Sequence, residues 1–159
     1  MSCFIGRRQA VHAVFGALLL SSLAACGSFD GPGASPNEQL FRASKAGNVA
    51  TIERAIAAGA DVNAIDYSER KNGLRALNYA ALYNRPDAVR ALVAAGAGID
   101  LANNTGFTAL HHAAEAGSVD AARTLLELGA DKTQRHRGGL TPLEVAEEAG
   151  NADVVAMLR

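Results

Sequence analysis

Histidines are the side chains of this sequence with the clearest capacity for chemistry. His111 and His112 are adjacent, and His136 lies in a basic segment between Lys132 and Arg137. Imidazoles can bind a metal ion or transfer protons. Adjacent residues of a helix point about 100° apart, however, so His111 and His112 cannot converge on one ion from a single helix. We therefore expect no metal site there and interpret both histidines as structural residues.

Other groups that could carry catalysis are few. Glu147 and Glu148 are paired acids on a predicted surface helix, without a visible cleft. Gly138-Gly139 lacks the spacing and the preceding strand of a phosphate-binding loop. The basic segment around His136 is either a solvated hairpin or a site for an acidic partner or lipid phosphates. The sequence thus favours a protein without a cofactor or a catalytic activity, and an enzyme is the hypothesis it supports least.

Cys26 is the remaining reactive side chain, and it ends an uncharged segment. Arg7-Arg8 form a positive start, and residues 10–25 then run without charge to Leu23-Ala24-Ala25-Cys26. A positive start, a short apolar core and small residues before a cleavage point are typical of a secretory signal peptide. The run is shorter than the roughly 20 residues of a membrane-spanning helix. Its last four residues resemble a bacterial lipobox, which implies lipidation of Cys26; the alternative is an ordinary cleavage site with a chance cysteine.

The lipobox resemblance divides the start of the chain. Residues 1–25 would be the signal peptide, and residues 26–36, rich in Gly, Ser and Pro, would be a linker with an average reach of roughly 17 Å. Each buried acyl methylene contributes roughly 0.8 kcal/mol, so several chains would hold the protein at the membrane. Gly27, where retained inner-membrane lipoproteins of enterobacteria carry aspartate, favours the outer membrane. We expect an envelope protein that faces the periplasm.

Composition sets broader limits. The chain has 159 residues, of which 49% are hydrophobic and 19% charged, as in a globular domain with short additions. Two cysteines and a formal net charge of -1 argue against a disulfide scaffold and against binding of nucleic acid. Cleavage would remove two arginines and no acids, so the mature net charge would be -1 - 2 = -3.

Residues 37–159 repeat one pattern. The spacing is 33 residues between later copies and 37 between the first two, so four extra residues fall in one loop. Three columns show the register: Leu40, Leu77, Leu110 and Leu143; Ile52, Val89, Ala122 and Val155; Gly47, Asn84, Gly117 and Gly150. The copy that runs from Thr108-Ala109-Leu110-His111-His112-Ala113-Ala114 to Gly129-Ala130-Asp131 resembles the ankyrin repeat, with its T-P-L-H-x-A-A and G-A-D signatures and its period of about 33 residues.

This resemblance implies an all-α solenoid of four helix-turn-helix repeats joined by short β-turn or hairpin loops. The repeats would span about residues 37–66, 67–102, 103–135 and 136–159. One repeat cannot bury its own apolar side, so stability comes from stacking several copies. The resemblance assigns His111 to hydrogen bonding between repeats and His112 to packing.

The resemblance also implies which residues would contact a partner. They are loop residues and the two residues after the Ala-Ala of each first helix: Lys45, Tyr67, Leu74, Leu82, Tyr83, Asn104, Thr105, Phe107, Glu115, Arg135, Arg137, Leu140 and Glu148. Tyr83 and Phe107 lie near the middle, where aromatic anchors tend to carry interface energy, unless their own neighbours cover them. Tyr67 belongs to the inserted loop, which is either a binding loop or a tolerated elongation.

The functional expectation is a non-catalytic protein-interaction module whose partner is another exported or periplasmic protein. One hypothesis is an immunity-type inhibitor that covers an exported hydrolase or toxin. The alternative is a scaffold for an envelope or oxidative-stress complex. No oligomeric state is predicted.

Overall fold

A computed structural model describes residues 33–68 and 73–159. These residues form eight helices: α1 (Pro36–Ala46), α2 (Val49–Ala57), α3 (Ala76–Leu82), α4 (Pro86–Ala94), α5 (Ala109–Ala116), α6 (Val119–Glu127), α7 (Pro142–Ala149) and α8 (Ala152–Leu158). In this described part there is no strand, only an isolated antiparallel bridge between Asp66 and Leu74. The predicted all-α class is confirmed.

The helices pack as four consecutive pairs. The odd-numbered helices contact one another in the order α1, α3, α5, α7 and form an inner row, and the even-numbered helices form an outer row in the same way. This is a solenoid. Across residues 33–68 and 73–159, no helix has the length and apolarity to cross a membrane. The predicted signal peptide, Cys26 and the linker up to residue 32 lie outside the described residues.

The first helix begins at residue 36, one residue before the predicted start of the repeats at residue 37. Ser35 is its N-cap: the Ser35 hydroxyl accepts from the Glu38 amide at 3.2 Å, and the Glu38 carboxylate accepts from the Ser35 amide at 2.8 Å. Pro36 occupies the first turn, where its missing N–H costs nothing. This reciprocal pair is a capping box, and Thr108 and Thr141 begin α5 and α7 in the same way.

The turn between the helices of each pair needs a positive φ. Gly117 has φ 70°, and Asn84 is the single described non-glycine residue with positive φ, at 51°. Asparagine visits this region more readily than most residues. Its side chain also contributes, since Asn84 Oδ1 accepts from the Ala121 amide of the next pair at 2.9 Å. Asparagine therefore takes the place that Gly47, Gly117 and Gly150 occupy in the other pairs.

Side chains just after these turns connect each pair to the one before. Ser118 Oγ donates to the Leu82 carbonyl at 3.1 Å, and Asn151 Nδ2 donates to the Ala114 carbonyl at 2.7 Å. Both carbonyls lie at the end of an inner helix, where no intrahelical partner remains. These bonds fix the register of neighbouring inner helices, and therefore the alignment of the residues that they expose.

Candidate interaction surface

Three loops, which we call fingers, precede the inner helices of the second, third and fourth pairs. Finger 1 comprises residues 66–74, of which 69–72 are outside the described residues; finger 2 comprises residues 103–107 and finger 3 residues 136–140. Backbone hydrogen bonds of 2.7–3.0 Å join the first and last residues of each finger: Asp66 and Leu74, Asn103 and Phe107, His136 and Leu140. The four inserted residues therefore lengthen finger 1 beyond a base that all three fingers share.

The first residue of fingers 1 and 2 anchors the finger to an inner helix. The Asp66 carboxylate accepts from the Tyr79 hydroxyl at 2.8 Å and from the Ser68 amide at 2.8 Å. Burial alone would raise the pKa of Asp66, but the hydrogen bonds from Ser68 and Tyr79, with the charge of Lys45, lower it. Asp66 thus stays ionised and holds finger 1 against α3.

Asn103 plays the equivalent role in finger 2. Its buried side-chain oxygen accepts from the amides of Thr105 and Phe107, each at 3.0 Å, and its amide nitrogen lies 3.5 Å from His112 Nε2. His112 is 1% exposed, and its Nδ1 lies 3.6 Å from the Glu115 carboxylate. The packing role predicted for His112 is therefore confirmed.

His111 connects the third pair to the fourth. Its Nδ1 lies 3.3 Å from the Thr108 amide, which can only donate, and its Nε2 lies 3.2 Å from the Leu140 carbonyl, which can only accept. This geometry suits the neutral tautomer with hydrogen on Nε2. Burial lowers the pKa of His111; the hydrogen bond with the Leu140 carbonyl opposes this, and the nearby His136 and His112 lower the pKa further. The predicted hydrogen bond between repeats is confirmed.

Phe107 is surrounded by imidazoles. Its ring centroid lies 4.6 Å from that of His136, 5.4 Å from that of His111 and 5.3 Å from that of His112. Phe107 is consequently half-buried. Of the two alternatives for Phe107, the structure favours the one in which neighbouring side chains cover the ring over the one in which the ring is freely exposed to a partner. Among residues 33–68 and 73–159, no group of three or more His, Cys, Asp or Glu side chains could hold a metal ion.

The structure distributes the remaining predicted contact residues between the surface and the core. Exposed are Tyr67, Tyr83, Asn104, Glu115, Arg135, Arg137 and Glu148, and half-buried are Lys45, Leu82, Thr105 and Leu140. The predicted contact at Leu74 is wrong, because Leu74 is 1% exposed and belongs to the hydrophobic core. Leu74 closes the base of finger 1 through its two backbone hydrogen bonds with Asp66.

The exposed and half-buried residues at the ends of the inner helices form what we call the helix strip. Lys45, Leu82, Glu115 and Glu148 occupy equivalent positions in α1, α3, α5 and α7, and the next residues are Ala46, Tyr83, Ala116 and Ala149. Tyr83 is 46% exposed. Its equivalents are exposed alanines, so its ring is the one large side chain in that column.

Comparison with known families agrees with this architecture. A family description of ankyrin repeats in three copies matches residues 40–136. The chain belongs to the ankyrin-repeat family. Ankyrin repeats are protein–protein interaction modules and are generally non-catalytic, so the chain is an interaction module. A comparison with curated proteins found no match. The fourth pair, α7 and α8, follows the matched range, and its assignment as an ankyrin repeat rests on its packing and its columns.

The ankyrin surface also contains a cavity that the sequence analysis missed. It has a volume of about 300 Å³ and is lined by Glu38, Phe41, Arg42, Lys45, Asp66 and Ser68. Arg42 is exposed here, whereas its equivalents Tyr79, His112 and Val145 are buried. A charged residue in a column that is otherwise apolar or aromatic was the available sign that the first pair is open on this side.

Proposed function

We propose that this ankyrin domain is a lipid-anchored periplasmic protein that binds an exported hydrolase or toxin and blocks it, without catalysis of its own. The observation that carries the binding surface is Tyr83, a large aromatic side chain exposed among alanines on the inner row. Tyrosine is enriched among the residues that dominate interface energies. The location rests on Leu23-Ala24-Ala25-Cys26, a motif outside the described residues.

Finger 1 supports inhibition over simple attachment. It is the longest of the three fingers, and Tyr67 at its beginning is 55% exposed. Its base is held by Asp66 and Leu74, which exchange two backbone hydrogen bonds of 2.7 and 2.9 Å. A longer loop on a firm base can enter the cleft of a hydrolase. A scaffold for an envelope or oxidative-stress complex would use the same surface but leave the activity of its partner unchanged.

The test is capture from a detergent extract of the cell envelope with the full chain. We expect Tyr83→Ala to reduce capture of the partner roughly 30-fold, as for an interface residue worth about 2 kcal/mol. Leu128→Ala is the matched control, because Leu128 is 37% exposed and lies at the end of the outer helix α6. Cys26→Ser, expected in the soluble fraction, tests the anchor in the same preparation.

The captured protein is identified by mass and assayed for hydrolase or toxin activity with and without the ankyrin protein. Inhibition by the parent chain and its loss in a still-folded Tyr83→Ala variant support the proposal. Equal capture by the Tyr83→Ala and Leu128→Ala variants contradicts the binding surface. An unchanged partner activity contradicts inhibition and favours the scaffold.

A further inference from the structure

We propose that finger 3 is a pH-responsive part of the interaction surface: neutral His136 holds the amide at the tip of the finger, and protonation of His136 releases that amide while the base of the finger stays in place. The inference goes beyond the proposed function, and only its last step, the effect on a partner, rests on that function. It follows from a contact that all three fingers share and from the chemistry of the side chain that makes it.

The first residue of each finger uses its side chain to accept a hydrogen bond from the amide two residues later. The distance is 2.8 Å for Asp66 in finger 1 and 3.0 Å for Asn103 in finger 2. In finger 3 the acceptor is His136 Nδ1, which lies 2.8 Å from the nitrogen of the Gly138 amide. The three fingers therefore share one structural feature that is built with three chemically different acceptors.

Of these three acceptors, the imidazole is the one that changes charge near neutral pH. Burial would raise the pKa of Asp66, but its hydrogen bonds lower it below the ordinary 3.8, so the carboxylate remains an acceptor. The Asn103 side chain does not titrate. Imidazoles change charge between about pH 5 and 8, and an imidazolium carries hydrogen on both nitrogens. Protonated His136 therefore cannot accept from the Gly138 amide, and two N–H groups would face each other.

The tip of finger 3 is built for close approach of the amide to the ring. A Cβ at Gly138 would lie 2.5 Å from Cε1 of His136, so a residue with a side chain does not fit there while the bond is made. Because the amide and the ring are this close, a proton on Nδ1 cannot be accommodated without movement of the tip.

The base of finger 3 depends on bonds that do not involve the imidazole. The His136 amide donates to the Leu140 carbonyl at 3.0 Å, and the Gly139 amide donates to the His136 carbonyl at 2.8 Å. The Arg137 amide donates to the Thr105 carbonyl of finger 2, also at 3.0 Å. We therefore expect protonation to rearrange the tip without detaching finger 3 from finger 2.

The charges around His136 do not neutralise an added proton. Helix α5, helix α7 and finger 3 itself contribute two further histidines, two carboxylates and two arginines: His111, His112, Glu115, Glu144, Arg135 and Arg137. The Glu115 carboxylate lies 3.6 Å from His112 Nδ1, and the Glu144 carboxylate pairs with Arg135 at 3.0 Å. Finger 2 has no charged residue. Both carboxylates are thus engaged with other groups.

Phe107 keeps the charged imidazole in place. Its ring centroid lies 4.6 Å from that of His136, within the distance at which an aromatic ring attracts a cation. His136 is half-buried, so part of its ring remains in contact with water. We expect the imidazolium to stay against Phe107 while the tip rearranges, and this distinguishes the response from unfolding.

NMR of the full chain between pH 7.5 and 5.0 tests the inference. We expect the protection of the Gly138 amide against hydrogen exchange, corrected for the intrinsic rate, to fall about five-fold with the midpoint of the His136 ring, as for the loss of one hydrogen bond. The amides of Ser68 and Thr105, held by acceptors that keep their charge in this range, should keep their protection. The nuclear Overhauser effect between Phe107 and His136 should persist.

Two variants assign the response to one imidazole. His136→Asn gives finger 3 the acceptor of finger 2, so the Gly138 amide should be equally protected throughout the pH range. His111→Gln is the matched control, because it removes a neighbouring imidazole whose hydrogen bonds go to Thr108 and Leu140. The Gly138 response should persist in that variant.

The effect on a partner is measured with the protein that the parent chain captures. Arg137 is exposed beside the tip, and a loop that must be ordered on binding lowers affinity. We expect the parent chain to bind this protein about five-fold more weakly at pH 5.5 than at pH 7.5, relative to His136→Asn. An equal pH dependence in the two chains overturns this last step.

Three results would overturn the inference as a whole: protection of Gly138 that does not follow the His136 ring, a response that persists in His136→Asn, and an equal loss of protection at Ser68 and Thr105. None of them bears on capture that depends on Tyr83, so the proposed function would stand. Capture that does not depend on Tyr83 contradicts the proposed binding surface and leaves the response of the free chain intact.

Discussion

The third and fourth helix pairs have matching columns but bury them differently. Leu110 in α5 is 1% exposed, whereas its equivalent Leu143 in α7 is half-buried. Ala122 in α6 is fully buried, and its equivalent Val155 in α8 is half-buried. The third pair is covered on both sides, and in the described residues the fourth pair is covered only by the third. In a stack, position decides how much a given side chain contributes to stability.

The largest expected effect is on the leucine column. Leu110→Ala should lower the free energy of unfolding by about 3 kcal/mol, because it removes a fully enclosed side chain and leaves a cavity. Leu143→Ala should lower it by about 1 kcal/mol, since part of the side chain is already in contact with water. Urea denaturation followed by circular dichroism measures both. Equal losses would show that the fourth pair is as enclosed as the third and would end the comparison.

The sequence predicted the features that follow from comparing equivalent positions in successive repeats. Periodicity placed the inner leucines and showed that Asn84 shares its position with three glycines. The contact from His111 to the next repeat followed from its family motif. Burial depends on neighbours that are distant in sequence, and this explains the errors. Leu74 was assigned to the contact surface because the resemblance to ankyrin repeats places partner contacts at turn residues, and its burial was not visible in that pattern.

The burial of Phe107 also depends on a neighbour that is distant in sequence. It comes from His136, 29 residues later, and no local pattern indicates that the two rings approach to 4.6 Å. The first-pair cavity depends on the placement of finger 1 relative to α1, which the column pattern leaves open. The contacts of this surface with a partner remain a prediction.

A smaller effect is expected in the turn between the helices of each pair. Gly117 and Gly150 have nearly the same φ, 70° and 74°. A Cβ at Gly117 would lie 2.8 Å from Asn151 Oδ1, whereas a Cβ at Gly150 would meet nothing within 4 Å. Alanine at either position adds about 1 kcal/mol of backbone strain. Only Gly117→Ala also displaces Asn151, whose Nδ2 donates to the Ala114 carbonyl at 2.7 Å.

We therefore expect Gly117→Ala to cost about 2 kcal/mol of unfolding free energy and Gly150→Ala about 1 kcal/mol. The double variant Gly117→Ala/Asn151→Ala is the control, because without the Asn151 side chain the steric part of the cost is absent. Thermal and urea unfolding give the three values. A Gly150→Ala variant as unstable as Gly117→Ala would mean that strain alone, and not contact with the next pair, sets the cost.

The smallest expected effect concerns pH and compares two capping residues. His111 and Glu144 occupy the same column, and each side chain accepts from the backbone amide of the threonine cap before it. The pKa of His111 is lowered from 6.5, chiefly by burial. The pKa of Glu144 is lowered from 4.5, chiefly by its hydrogen bonds with Thr141. In both cases the unfolded chain binds the proton more readily, so stability falls as pH falls.

The two residues differ in the pH range where this loss occurs. The contribution of neutral His111 is complete above pH 6.5 and is lost as the pH falls from there through its folded pKa, because a proton on Nδ1 would abolish the acceptor for the Thr108 amide. The contribution of ionised Glu144 is complete above pH 4.5 and is lost below it.

His111→Gln keeps an acceptor and a donor without titrating, so it should flatten the decline in urea midpoint just below pH 6.5 and leave the decline below pH 4.5. Glu144→Gln should do the reverse. If His111→Gln and the parent chain decline in parallel from pH 7.5 to 5, the third pair does not depend on His111 being neutral.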